Sequence, residues 1–372
     1  MTQTSNLRIP GPTPVPPDIL EAVGRPMVNH RGREFAALIS RVAERLKDFY
    51  LTSNDVLILS TSGTGGLEAA VVNTLSPSDK VLSVSIGAFG ERFASIADTY
   101  GAEVIPLAYE WGQAARPDDV RQALQEHADV TAVLLTHNET STGVTNPLEE
   151  ITRAVRETAP SVLILVDAVS SLSAIPLETD GWGLDVVVTG SQKGWMVPPG
   201  LAFVSMSDRA WRAYEQSSMP RFYFDLGRHR DTLAKGQTPW TPTMSIFFGL
   251  DVALERMIEE GMERIFTRHA TIGRSVRQGV KAMGLELLCE DERFASDTVT
   301  AVKCPEGVEV SALRMLMEDE YGVILAGGQG KLTGKIFRIG HLGLVEEDDI
   351  RQALQSLEMA LPKLGFALPA VR

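Results

Sequence analysis

The chain has 372 residues, 44% of them hydrophobic and 22% charged, with a formal net charge of -13. That length suits one large domain plus a smaller one, the acidic balance argues against a nucleic-acid surface, and no apolar run approaches the roughly 18 residues of a membrane span. With only Cys289 and Cys304 there is no disulfide framework, and a reducing compartment is expected.

MTQTSNLRIPGPTPVPP lacks a basic stretch followed by an apolar core, so no signal peptide is expected at the start. Residues 367–372 carry no peroxisomal or retention address, so the expected location is cytoplasmic. Pro10, Pro12, Pro14, Pro16 and Pro17 surround Gly11; they disfavour helix and predict an extended, ordered arm over residues 1–17 that lies on another surface. Helical patterning resumes at Asp18-Ile19-Leu20 and again over 34–50. Asn29-His30-Arg31-Gly32 separates the two, and His30 and Arg31 there are more simply surface polarity than ligands.

From residue 55 strands and helices alternate. Strands are expected at 56–59, 80–84, 103–107, 131–136, 163–167 and 185–189, and helices at 64–75, 89–100, 118–127 and 148–157. This rhythm implies a mainly parallel sheet with right-handed crossovers. The strand at 201–206, which returns after Pro199-Gly200, is expected to be the odd one beside the preceding loop. Past 245, apolar residues at three- and four-residue spacing predict helices over 246–261 and 262–283. Strands near 285–289, 298–304 and 335–340 and helices at 309–319 and 346–360 follow. The fold class is therefore α/β: a large domain over 18–250 with a mainly parallel, mixed sheet between helices, and a smaller C-terminal α+β domain over 251–372. A helical segment of about 250–283 would bridge them.

The chemistry concentrates where strands end. Leu163-Ile164-Leu165-Val166-Asp167 is an apolar run that closes on a carboxylate, which places Asp167 at the carboxyl end of a strand buried on both faces. Asp185-Val186-Val187-Val188-Thr189 repeats the design and delivers Lys193 to the same rim, backed by the apolar, stiff Trp195-Met196-Val197-Pro198-Pro199. A lysine pressed into such a site loses hydration, its pKa falls, and it becomes a usable nucleophile and base. Pyridoxal phosphate requires that pair, a lysine for its aldehyde and an acid facing its pyridinium nitrogen.

Four further features gain meaning beside that pair. The Ser60-Thr61-Ser62-Gly63-Thr64-Gly65-Gly66 turn joins a strand to a helix and is either a phosphate cradle or a tight turn. Without a following lysine it is no nucleotide P-loop. Phe89, between Gly87 and Gly90, either stacks on a flat heterocycle or packs in the core. Thr140 offers a hydroxyl to the same rim or serves turn chemistry. Arg338 interrupts an apolar strand, Lys335-Ile336-Phe337-Arg338-Ile339-Gly340-His341, and its planar fork suits either a substrate carboxylate or an internal ion pair. His341 is left without a role, and no metal site is expected.

Together these segments resemble the class V (fold-type I) pyridoxal-phosphate aminotransferases, in the alanine–glyoxylate/serine–pyruvate branch. The resemblance runs through Gly11-Pro12-Thr13-Pro14, Ser62-Gly63-Thr64, residues 136–143, Val166-Asp167-Ala168-Val169, Gly190-Ser191-Gln192-Lys193, residues 238–241 and Phe337-Arg338-Ile339-Gly340. It implies that Lys193 carries the cofactor and later moves the proton, that Asp167 faces the ring nitrogen, that Phe89 stacks on the ring, and that Thr140 bonds near the ring hydroxyl. It further implies that Ser62, Gly63, Thr64 and Gln192 hold the phosphate with Thr238 and Thr241 of a partner subunit, that Arg338 grips the substrate carboxylate, and that Gly11 also binds the substrate. A homodimer with shared active sites follows from the same resemblance. The chain departs from relatives that carry a larger aromatic at the Phe89 position, a histidine at Thr64 or a tyrosine at Thr238.

The expected function is ping-pong transamination from a small amino acid, alanine or serine, to a 2-oxo acid such as glyoxylate or pyruvate. Two alternatives are a lyase of cysteine desulfurase type, which needs a mobile nucleophilic cysteine, and a non-catalytic accessory homologue.

Overall fold

The computed structural model describes residues 5–369. Residues 1–4 of the arm and residues 370–372 of the stretch read for sorting signals lie outside the described residues. The proline-rich arm holds one short strand, β1 (Asn6–Arg8), and gives way to helix α1 (Pro17–Val23), whose first turn tolerates proline because its N–H would be unbonded anyway. Helix α2 (Arg33–Tyr50) buries Phe35, Ile39, Val42, Leu46 and Phe49 along one stripe.

The alternating region comprises β2 (Val56–Leu59), α3 (Gly63–Thr74), β3 (Lys80–Ser85), α4 (Ala88–Thr99), β4 (Glu103–Ala108), α5 (Pro117–Glu126) and β5 (Ala132–Thr136). A small hairpin, β6 (Asn138–Glu139) and β7 (Val144–Thr145), precedes α6 (Leu148–Thr158), β8 (Leu163–Asp167), β9 (Val186–Gly190) and β10 (Ala202–Met206). The seven-stranded sheet has the order β2-β10-β9-β8-β5-β3-β4. β10 is antiparallel to both neighbours and all other pairs are parallel, so the odd strand lies beside β9, which leads into the Lys193 loop, as expected.

Alternate residues of these strands feed two cores. Ile58, Val84, Val133, Ile164, Val166 and Phe203 face α2, α6 and the later helix 244–260. Leu59, Leu134, Leu165, Val188 and Val204 face α3 and α4. A strand with both faces covered reads as an unbroken apolar run, and each such side chain contributes about 1.5–3 kcal/mol by burial.

Two helices not anticipated from the sequence, α7 (Asp208–Gln216) and α8 (Leu226–Leu233), follow β10. Helix α9 (Met244–Glu260) then packs on α1 and α2, while α10 (Met262–Ala282) packs on α9, β11 (Val299–Lys303) and α12 (Glu347–Lys363). Between those last two elements come α11 (Val310–Tyr321), β12 (Val323–Gly327) and β13 (Ile336–Gly340).

The second sheet has the order β1-β12-β13-β11. Its central strand β12 was not anticipated, and the strand expected near 285–289 is only a bridge from Leu287 to Val302. The N-terminal arm adds β1 parallel to β12 and then crosses to the lysine loop, where Thr13 N donates to Gln192 O at 3.1 Å and Thr13 Oγ1 to Lys193 O at 3.0 Å.

Candidate active site

Strands β2, β3, β5, β8 and β9 all end at one edge of the large sheet, so the segments after them converge. Ser62, Gly63, Thr64, Phe89, Thr140, Asp167, Gln192 and Lys193 line a single cleft there, with Leu67, Arg92, Asn138, Val169 and Ser170. A larger groove between α10 and α12 is lined by Ile272, Met283, Ile350 and Leu354. It lacks a lysine–carboxylate pair, so size does not mark the site.

Lys193 is half-buried at the cleft floor, and its Nζ donates to Pro10 O at 2.8 Å. Burial, then the charge of Arg338, pushes its pKa down to about 8, while Asp167 opposes the shift. Its loop is pinned by fully buried Trp195, whose ring meets Phe49 at 5.7 Å and Phe203 at 5.4 Å edge-on. Gly11 lies against the lysine: at φ 135° only glycine is comfortable, and a Cβ there would sit 2.7 Å from Nζ.

Asp167 is buried, and Val169 N donates to its Oδ1 at 2.9 Å. Its other oxygen has no hydrogen-bond partner among the described residues. Burial pushes the carboxyl up to about 7, with the charge of Glu139 adding and Lys193 and Arg92 opposing. A cation placed against it would restore the carboxylate.

Helix α3 opens on this cleft with Ser62 as its cap residue and no side-chain cap. The N–H groups of Gly63, Thr64 and Gly65 have no acceptor among the described residues, and Gly66 N is the first to bond back, to Ser62 O. Free N–H groups at a helix start, with the helix dipole behind them, suit an anion. A Cβ on Gly63 would lie 2.8 Å from Val169 Cγ2, so only glycine keeps the turn this close to the acid-bearing strand. Gln192 carries a buried Oε1 without a partner beside this turn. An aldehyde-reactive lysine, an acid lacking its cation and an uncapped helix start together match the aldehyde, ring nitrogen and phosphate of pyridoxal phosphate.

Phe89 stands on the first turn of α4 with the Arg92 guanidinium 4.8 Å from its ring centre. Thr140 Oγ1 lies 3.3 Å from Ser170 Oγ. Arg338, in β13, donates Nε to Gly327 O and Nη1 to Thr140 O, both at 2.9 Å. It has no carboxylate partner among the described residues, which removes the internal-ion-pair reading. Burial lowers its pKa to about 10, still leaving it charged at neutral pH.

Thr238 and Thr241 are not in their own chain's cleft. Thr238 Oγ1 donates to Trp240 O at 2.6 Å, its carbonyl accepts from Arg31 Nη1 at 2.5 Å, and Thr241 is exposed. Arg31 thus ties this strap down rather than serving as idle surface polarity. His341 is fully buried between Thr300 Oγ1 and Asp297 O, and burial pushes it down to about 3, so it stays neutral. Arg92 and Ser170 line the cleft but were not singled out in the sequence. Arg92 sits three residues after Phe89, a spacing that puts both on one helix face.

The family described as aminotransferase class V matches residues 16–337. The chain is 46% identical to the soluble hydrogenase small subunit of Synechococcus sp. (strain PCC 6716), over 98% of this chain and 95% of the relative. It is 35% identical to the serine–glyoxylate aminotransferase of Methylorubrum extorquens, over 96% and 91%. The solved alanine–glyoxylate aminotransferase from Nostoc sp. superposes with a TM-score of 0.92 at 30% identity, covering 97% of this chain and 96% of that one.

Proposed function

The chain belongs to the class V aminotransferases, and on that premise we propose that it moves an amino group from alanine or serine to glyoxylate or pyruvate by a ping-pong mechanism. The observation that carries this reading is that Lys193 and Asp167 line one cleft, while Arg338, which has no carboxylate partner among the described residues, is held beside it on Thr140 O, close enough for its charge to act on Lys193. The choice of small substrates is supported by the serine–glyoxylate and alanine–glyoxylate relatives.

Pyridoxal phosphate, the family's cofactor, supplies when bound an aldehyde that takes up amino groups and a ring that spreads the electron pair left at the α-carbon. The N–H groups of Gly63 and Thr64, the hydroxyls of Ser62 and Thr64, and Gln192 would hold the phosphate. Asp167 would face the ring nitrogen, Phe89 would stack on the ring, and Thr140 would lie near its hydroxyl. Lys193 would hold the aldehyde carbon, and its Nζ, when neutral, would be the base that takes and returns the substrate α-proton. The edge of Arg338 not used by Gly327 O and Thr140 O would orient the substrate carboxylate.

Because Thr238 and Thr241 do not line their own chain's cleft, the strap supports a homodimer in which each subunit completes its partner's phosphate site. No helix among the described residues is long and apolar enough to cross a membrane, and a cytoplasmic location belongs to the same proposal.

Arg338→Lys is expected to raise KM for the amino donor about 10- to 150-fold, with a smaller change in kcat. That range corresponds to the roughly 1.5–3 kcal/mol of a hydrogen bond to a charged group. Steady-state kinetics with alanine and glyoxylate check it; an unchanged KM would remove Arg338 from the carboxylate site.

The lyase alternative needs a reactive thiol. Cys289 is buried and pushed up to about 11, and Cys304, half-buried, is raised too; burial is the main cause for both. Neither lines the Lys193 cleft. The Cys289→Ser, Cys304→Ser double variant should transaminate within about twofold of the parent, and sulfide release from cysteine by the parent, lost in the variant, would favour the lyase. The subunit name borne by the Synechococcus relative describes that protein, whereas retention of Lys193, Asp167 and Arg338 here supports catalysis.

A further inference from the structure

Two helices start at the same edge of the large sheet and use their first N–H groups differently. Those of α3 face the cleft unbonded, while those of α4 are sealed by a carboxylate from another segment. Ala88 N donates to Ser141 Oγ at 3.0 Å, and Phe89 N and Gly90 N donate to Glu139 Oε2 at 3.0 and 3.1 Å. Ser141 completes the relay by donating Oγ to Glu139 Oε1 at 2.6 Å and its N–H to the same oxygen at 3.1 Å.

Glu139 is 0% exposed, and every partner it has is a donor. A Cβ on Gly87 would lie 2.4 Å from Glu139 Cγ, so the missing side chain lets the carboxylate reach the helix start. The residue on one side of this network is Phe89. On the other, the very next carbonyl, Thr140 O, receives Arg338 Nη1 at 2.9 Å. One buried carboxylate therefore fixes the backbone carrying the ring-stacking residue and the backbone anchoring the substrate-binding arginine.

We propose that Glu139 is a positioning residue for the reaction, setting the Phe89 ring against the cofactor and the Arg338 guanidinium against the substrate carboxylate. An acceptor-only group is required: glutamine would turn an NH2 toward N–H groups that need an oxygen. Burial raises the Glu139 carboxyl above its ordinary value, and the hydrogen bonds from Ser141, Gly90 and Phe89, with the α4 dipole, work against that rise. The inference rests on the roles given above to Phe89 and Arg338.

The test compares Glu139→Gln and the milder Ser141→Ala with Asp185→Asn. Asp185 is an equally buried carboxylate, bonded to Arg156, Arg209, Ser207 and Ile164 N, at the other end of β9. Read out are the dissociation constant for pyridoxal phosphate, the induced visible circular dichroism per bound cofactor, and KM for the amino donor.

Glu139→Gln is expected to weaken cofactor binding tenfold or more, reduce the induced signal and raise KM. Ser141→Ala should move the same quantities in the same direction by less, and Asp185→Asn should lower the melting temperature alone. Wild-type cofactor affinity and induced signal in Glu139→Gln, or in Ser141→Ala should the former not fold, would overturn the proposal. Equal shifts in Asp185→Asn would overturn it as well. Failure of the parent protein to bind the cofactor would strike the underlying site assignment instead.

Discussion

Lys193→Ala is expected to lose covalent capture of pyridoxal phosphate and to lower kcat roughly 10³-fold or more, since one side chain serves both as nucleophile and as proton carrier. The protein should remain folded. What the substitution removes is a half-buried amine with one hydrogen bond, to Pro10 O, while the loop is held by Trp195 against Phe49 and Phe203. The depressed pKa also predicts a pH dependence for attachment in the parent. An ordinary lysine at 10.5 is neutral in about one molecule per thousand at pH 7.5; at about 8, roughly a quarter is neutral. The sign follows from the deprotonated amine being the reactive form: the attachment rate should climb as pH rises through about 8 and then level off. Rapid-mixing absorbance measurements from pH 6 to 10 check this. A rise continuing to pH 10 would mean that the lysine is not desolvated as described.

Asp167→Asn is expected to bind the cofactor yet turn over roughly 10²- to 10³-fold more slowly, the scale seen when a preorganised electrostatic group is removed from a reacting centre. Asparagine retains an oxygen for Val169 N, so the local fold should persist. Lost is the negative charge that would keep the ring nitrogen protonated. Burial holds the Asp167 carboxyl at about 7, and nearby Glu139 adds to that rise. A positive partner lowers it again, which means acid and ring nitrogen stabilise each other's charged forms. Measured kcat with alanine and glyoxylate near that of the parent would remove Asp167 from this role.

Asp167 and Lys193 were legible because a parallel strand covered on both faces appears as an unbroken apolar run, and its end is a place where ligands bind. The same logic located Thr140 and the Gly63 turn. Elements whose existence depends on distant partners were not legible. β1 spans three residues beside prolines and is a strand only because β12 offers it an edge. β12 follows directly on Gly322, which ends α11 in the left-handed conformation, so no loop separates helix from strand. α8 buries only Leu226, Gly227 and His229, too few for a periodic signal.

Glu139 shares the strand-end position that exposed Asp167, but its partners Phe89 and Gly90 lie about fifty residues earlier in the chain, and only the fold brings them together. Thr238 and Thr241 could be tied to the phosphate only by resemblance, since their own cleft does not include them.

The central claim is tested most directly by the absorbance spectrum of the purified, cofactor-loaded protein during successive additions of L-alanine or L-serine and then glyoxylate. The account predicts a visible band from lysine-bound cofactor that gives way to a near-ultraviolet band with the amino acid, returns with glyoxylate, and is absent in Lys193→Ala. A parent protein that shows no visible band with excess pyridoxal phosphate, or one whose band no amino acid displaces, would contradict it.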